Sequence, residues 1–260
     1  MKIDLAGQQL QTFPDHLLKS RQTTWLSLYR NQIKHLPHGI GDLDQLQLLN
    51  MGDNHLEVLP SSIGQMKALK TLDLGHNRLT QIPESLGLLT NMDGFLYLSN
   101  NRLAELPEAL GQLQKLKYLN ISSNPLNQFP DCICKMKALV ELRAYECGFQ
   151  SLPTSIGNLV NLRECYLRDN HLASLPESIG ALNHLLHLEL RNNLLSDLPL
   201  SISQLKKLRT LDLRANTFTK VPEVINELTC LQKLDLRWNP LEAVPSWINE
   251  MEERGCLVYV

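Results

Sequence analysis

Eight histidines, six cysteines and 27 carboxylates are enough to build a metal site or an acid–base pair, so their spacing is the first test of what the chain can do. The histidines (His16, His35, His38, His55, His76, His171, His184 and His187) are scattered, with no pair at metal-ligand spacing beside a carboxylate. Cys132-x-Cys134 is two residues apart, which is not the usual zinc knuckle; Cys165 falls at a core position and Cys147 at a turn. No glycine-rich phosphate loop or nucleophile elbow is present. His187 beside Glu164 and Glu189 imitates an acid–base cluster, but a surface open to water supports such chemistry poorly. The reading is a protein that is not an enzyme, with no metal and no cofactor. A formal charge of −2 argues against a nucleic-acid partner. No stretch reaches the 18 or so apolar residues of a membrane span. The start, Met1-Lys2-Ile3-Asp4-Leu5, enters a repeat at once, which is read as no signal peptide. Neither end has a cysteine cluster, which points to a reducing, cytoplasmic compartment.

What positions these side chains is a period. Proline stands at 14, 37, 60, 83, 107, 130, 153, 176, 199, 222 and 245, every step 23 residues except one of 24. A fixed period in the twenties means stacked units rather than a globular core. In the unit from Leu69, Leu72 and Leu74 alternate with period two, the sign of a strand with one buried face. Asn77 follows, and Asn recurs there in nine units; Gln8 and Cys147 replace it. An asparagine can satisfy the backbone of a sharp turn and of the next coil, so this column is read as a hydrogen-bonded ladder. The proline suits the first position of a short helical turn, and an acid often follows it at the turn's positive end. Glycines such as Gly64, Gly157 and Gly180 are read as ending that turn in a left-handed conformation. The extra residue near Asp93-Gly94 predicts a bulge before the strand and leaves the side of Phe95 open.

The pattern L-x-x-L-x-L-x-x-N-x-L resembles the leucine-rich repeat, in the 23-residue class that carries Leu-Pro and Ile-Gly. That class includes Ras-binding scaffold proteins, plant intracellular Ras-group-related proteins and bacterial stand-alone members. The ending from Trp247 to Tyr259 is most similar to the bacterial ones. The resemblance implies an α/β solenoid: a right-handed leucine-rich repeat horseshoe of about eleven repeats, with a parallel concave sheet. Residues 1–260 are read as a single domain, with repeats over about 3–245 and a C-terminal cap over about 246–260. The cap predicts a helix over 246–254, ended by Gly255, and a strand over 256–260, with Trp247, Ile248 and Met251 covering the last leucine row.

On each strand the residues flanking the two core leucines face outward. All six tyrosines fall in these columns, with Trp25 and Trp238, whereas Phe13, Phe129, Phe149 and Phe218 fall in the core. Strand propensity explains tyrosines on strands. It does not explain four in consecutive repeats. The candidate partner-binding site is therefore Phe95, Tyr97, Tyr118, Arg143, Tyr145, Tyr166 and Arg168, with the aromatic residues as anchors. These side chains are expected to be dispensable for folding. A second column reads Arg168, Arg191, Arg214, Arg237, and Glu189, Asp212 and Asp235 stand two residues before the last three. This predicts a self-paired ladder; the alternative is a docking strip for an acidic or phosphorylated segment. Arg168 is the best candidate for the latter, since Tyr166 and not an acid occupies the matching slot, although carboxylates also stand on adjacent strands and Asp169 is able to pair with it. The functional reading is a non-enzymatic protein–protein interaction module, in signalling, that binds a protein on its concave face. The resemblance implies a small GTPase or a signalling enzyme as partner. The alternatives are a scaffold that self-associates as a homodimer, and the recognition subunit of a ligase or kinase assembly.

Overall fold

Two apolar residues one apart, repeated each turn of the chain, place one short strand in every coil. The computed structural model describes residues 1–260. They form two units, Met1–Leu126 with Pro130–Leu139, and Asn127–Phe129 with Val140–Val260. The first holds β1 (Lys2–Asp4), β2 (Trp25–Ser27), β3 (Leu48–Asn50), β4 (Thr71–Asp73), β5 (Phe95–Tyr97) and β6 (Tyr118–Asn120). All pair in parallel and in sequence order, and Ile3, Leu26, Leu49, Leu72, Leu96 and Leu119 are successive partners. A slip of one residue would turn that row to solvent, and from Leu26 to Leu119 the row is buried. The second unit holds β7 (Glu141–Arg143), β8 (Glu164–Tyr166), β9 (His187–Glu189), β10 (Thr210–Asp212), β11 (Lys233–Asp235) and β12 (Leu257–Tyr259). Its row runs Leu142, Cys165, Leu188, Leu211, Leu234, Val258. Each unit is thus a solenoid of coils joined by a parallel sheet, as the period predicts.

The asparagine ladder closes each coil. Asn54 donates from Nδ2 to the carbonyls of Leu28 (2.9 Å) and Met51 (3.1 Å) and accepts from the Ile33 amide (3.0 Å). Asn216 does the same with Leu190, Leu213 and Leu195. One buried amide side chain therefore satisfies groups of two coils, and each left unpaired would cost on the order of 1–3 kcal/mol. The residue before the ladder position carries the tight turn: Asp53, His76, Asn100 and Asp169 all have φ near +55°. Asp53, Asn100, Asp169 and Asn192 are short and polar, the types that tolerate this conformation. Arg30, at φ 54°, and Trp238, at φ 64°, are bulky residues held in it.

Across each coil from the strand lies a 3-10 turn opened by proline. Pro83 is extended (φ −68°), and its carbonyl accepts from the Leu86 amide at 3.0 Å. The glycine in this turn is not left-handed, which corrects the sequence reading. Its role is close approach: a Cβ on Gly41 would lie 2.6 Å from the Ser62 carbonyl oxygen, and one on Gly157 2.7 Å from that of Ser178. Glycine sets the spacing of neighbouring coils rather than ending the turn.

The insertion is absorbed at Gly94, where a Cβ would meet the Lys70 carbonyl at 2.8 Å. Phe95 emerges on the outward face, 45% exposed. The C-terminal helix α1 (Trp247–Glu253) ends before Gly255, at φ 89°, and β12 follows. Ile248 and Met251 are buried as expected. Trp247 is not, because its side chain lines an open hollow with Leu200 and Val224.

Candidate functional site

In the first unit β5 and β6 bring together three predicted residues. Phe95 and Tyr97, two apart on one strand, stack with ring centroids 6.1 Å apart and planes 9° apart. Tyr118, the partner of Phe95 in register, lies 5.3 Å from Phe95 and 4.9 Å from Tyr97. Offset and tilted contacts of this kind add about 0.5–1.5 kcal/mol beyond area burial. One consequence departs from the sequence reading. Tyr118 is only 8% exposed, so this outward side chain is spent on packing. Phe95 at 45% and half-buried Tyr97 present the accessible aromatic surface.

Beside this cluster the sheet face is nearly bare. Gly52, Gly75 and Ser99 occupy one outward column on β3, β4 and β5's continuations, and all three are buried. The carboxylate of Asp73 lies between them. Its Oδ1 accepts from the Gly75 amide at 2.9 Å, and a Cβ on Gly52 would stand 3.1 Å from both its oxygens. No lysine or arginine lies within ion-pairing distance of it. Burial holds the Asp73 carboxyl above the usual carboxylate range, opposed by the Gly75 amide and by His76.

In the second unit the other four predicted residues meet on β7 and β8. The Arg143 guanidinium lies 5.1 Å from the Tyr166 ring centroid and donates from Nε to Glu141 (2.7 Å). Arg168 sits 4.1 Å over the Tyr145 ring and donates to Asp169 (2.6 Å), with Glu189 at 3.8 Å. Arg168 is therefore engaged, by its chain neighbour and by a carboxylate on the adjacent strand. The Tyr166 hydroxyl donates to Glu164 at 2.6 Å; burial, then that carboxylate, pushes its pKa well up.

Further along, the self-paired ladder is present. Arg214 clasps Asp212 through Nε (2.9 Å) and also approaches Asp235 (3.5 Å). Arg237 grips Asp235 through Nε (2.9 Å) and Nη2 (2.7 Å). Burial pushes the Asp235 carboxyl up, and the hydrogen bonds and charges of Arg237 and Arg214 more than reverse it, leaving it below the usual range. Aromatic rings close the end: the Arg237 guanidinium lies 4.9 Å from the Tyr259 ring and 5.7 Å from that of Trp238, which is 68% exposed.

His187 Nδ1 is 2.9 Å from the Thr210 hydroxyl. Burial pushes the Cys132 and Cys165 thiols up to about 12, far from the thiolate that reacts or binds metal. No three His, Cys, Asp or Glu side chains converge on a metal-binding point. No helix is long and apolar enough to cross a membrane. The Asp73 slot escaped the sequence reading. Its signal was the run of small residues Gly52, Gly75 and Ser99 in one column next to the aromatic ones.

Three family models match: "leucine-rich repeat region" over residues 94–167 and 154–253, "leucine rich repeat" over 1–56 and "leucine rich repeats (2 copies)" over 44–87. No curated protein matches the chain in sequence. Among solved structures, a leucine-rich repeat protein of Leptospira interrogans is 28% identical over 97% of this chain and 82% of its own, with a TM-score of 0.59. A TDR receptor is 26% identical over 97% of this chain and 46% of its own, with a TM-score of 0.85. Toll, from the Drosophila Toll–Spätzle complex, is 25% identical over 92% of this chain and 35% of its own, with a TM-score of 0.83. The chain thus spans most of the bacterial protein and less than half of either receptor chain.

Proposed function

The chain belongs to the leucine-rich repeat family, and from that premise we propose that it is a non-enzymatic protein-binding module that holds a protein partner on its sheet face. The observation that carries this reading is the cluster of Phe95, Tyr97 and Tyr118: three rings in mutual contact on an outward face, with Phe95 at 45% exposure. Aromatic surface left in one patch by a fold that buries its other phenylalanines marks a contact site. The Tyr–Arg group on β7 and β8 extends the reading to the second unit as its own polar and aromatic contact patch. The Toll–Spätzle complex supports it, as a related solenoid with a protein ligand. The continuous 23-residue register supports one leucine-rich repeat domain over 1–260. A small GTPase or signalling enzyme in the cytoplasm is the partner class that the repeat class suggests, and six unbridged thiols fit a reducing compartment.

Affinity capture from the native lysate tests the proposal. Phe95→Ala with Tyr97→Ala should lose the captured protein at least about tenfold, the factor of 1.4 kcal/mol, in a variant that still unfolds cooperatively. Unchanged capture by this variant and by Tyr145→Ala with Tyr166→Ala would overturn the sheet-face reading. A fall in molar mass by light scattering in the same variants would instead favour self-association.

A further inference from the structure

The sheet carries one carboxylate slot twice, filled from within in the second unit and left open in the first, and we propose that the open one, at Asp73, docks an arginine side chain of the protein partner. The inference rests on the sheet-face reading above and adds the partner's chemistry to it.

The second unit supplies the template. Asp235 stands opposite Tyr259 in register. Two residues after Asp235, Arg237 folds back and binds the carboxylate through Nε and Nη2 at 2.9 and 2.7 Å, its guanidinium 4.9 Å from the Tyr259 ring. The first unit repeats the carboxylate, the tyrosine opposite it and the amide contact, but has neither Arg237 nor the Arg214 that also approaches Asp235 at 3.5 Å. Asp73 stands opposite Tyr97 in register. Its Oδ1 takes the amide two residues on, as Asp235 Oδ1 does. But that residue is Gly75, and no basic group takes the place of Arg237.

The carboxylate lies close over the glycines of the neighbouring column. The stem of Arg237 occupies a column that is glycine at both 52 and 75, where a Cβ would stand only 3.1–3.3 Å from the Asp73 oxygens. The charged groups around the slot are few: His76 is exposed, with Nε2 3.3 Å from Asn100 Nδ2, and Lys70 is exposed. Neither supplies a two-pronged donor. Asp4, in the same column on β1, is exposed and accepts from the Ala6 amide, so it has no comparable need. A guanidinium fits where an ammonium or a metal ion does not. Its planar fork matches the carboxylate, it stacks on a tyrosine face, and a lone carboxylate is too few ligands for a hard cation.

The test uses the isotope-labelled chain and a short acetylated, amidated peptide of glycines around one arginine, beside the same peptide with citrulline, the neutral isostere. The arginine peptide should shift the amide signals of Gly52, Gly75 and Ser99. Binding should weaken at least about tenfold with citrulline and in Asp73→Asn, as a lost charge-assisted hydrogen bond implies. Gly75→Arg, whose backbone is not left-handed, should fill the slot from within and abolish the shifts. Equal response to citrulline, an unchanged response in Asp73→Asn, or no response to either peptide would overturn the inference. Partner capture separates this failure from that of the broader reading. If Phe95→Ala with Tyr97→Ala loses the partner while Asp73→Asn and Gly75→Arg keep it, the sheet face still binds protein and the arginine slot is wrong. If all of them keep it, the sheet-face reading itself falls.

Discussion

Asp73 and Asp235 occupy the same place in their coils, both facing outward from a strand beside a tyrosine partner, yet burial ends with one carboxyl above the usual range and the other below it. The cause is the cations at hand: Gly75 stands where Asp235 has Arg237, and Asp235 also has Arg214 at 3.5 Å. In a solenoid the frame residues repeat because every coil must close and stack in the same way. The outward columns are released from that demand. The second unit uses them to satisfy its own charges. The first leaves a desolvated carboxylate and an exposed phenylalanine, which is the state of a surface that gains from a partner.

The comparison holds only if the rows beneath the two faces are equally committed to folding, so the largest expected effects lie there. Leu119→Ala in the first unit and Leu142→Ala in the second each remove a fully buried side chain and should each cost about 2–5 kcal/mol in urea unfolding. If either costs under about 1 kcal/mol, its unit is loosely packed and the contrast between faces says nothing about function.

Next in size is the filled slot. Asp235→Asn leaves Arg214 and Arg237 without their shared carboxylate, one with no exposed surface. A fully buried broken pair costs about 3–5 kcal/mol; with Arg237 part exposed, roughly 2–3 kcal/mol is expected. The folded pKa lies below the unfolded one, so this stabilisation is present above the ordinary 3.8 and disappears as pH falls through the lowered folded value. Thermal melts across acid pH should therefore show parent and variant converging.

The tyrosines sharpen the comparison at a smaller scale. Tyr118, 8% exposed and touching two rings, should cost about 2 kcal/mol when replaced by alanine. Tyr166, which keeps solvent contact, should cost less than about 1 kcal/mol. Equal losses by calorimetry would mean that outward position alone decides, and that the ring cluster adds nothing.

The sequence exposed the frame almost completely, because period, strand alternation and the asparagine column are set by local chemistry repeated eleven times. Phe149 and Phe218 in the core and the strands themselves were legible for that reason. The site was legible in part. Column assignment put Phe95, Tyr97 and Tyr118 on one face, but the burial of Tyr118 depends on how three rings settle against each other, which no column shows. The glycines misled for a related reason. Gly64 and Gly157 carry the mark of a turn end, whereas their cause is a carbonyl of the following coil, more than 20 residues away.

The smallest expected effect is the one that reads the open slot most directly. The folded pKa of Asp73 is raised, so the folded chain holds its proton more tightly than the unfolded chain does. The stability due to that proton is complete below the ordinary 3.8 and is lost as pH rises through the raised folded value. At neutral pH the ionised carboxylate is thus a net cost to folding. Asp73→Asn removes it and should raise the melting temperature at pH 7, by about 1–2 °C for a domain of this size. The gain should shrink to nothing below the ordinary carboxylate range, opposite in sign to the loss in Asp235→Asn. An arginine ligand adds a further discrimination. It stabilises only the chain that binds it, so the arginine peptide should close or reverse the gap between parent and variant, and the citrulline peptide should leave it unchanged. A destabilised Asp73→Asn at neutral pH would mean that the carboxylate is already satisfied within the first unit, and the two slots would then be alike.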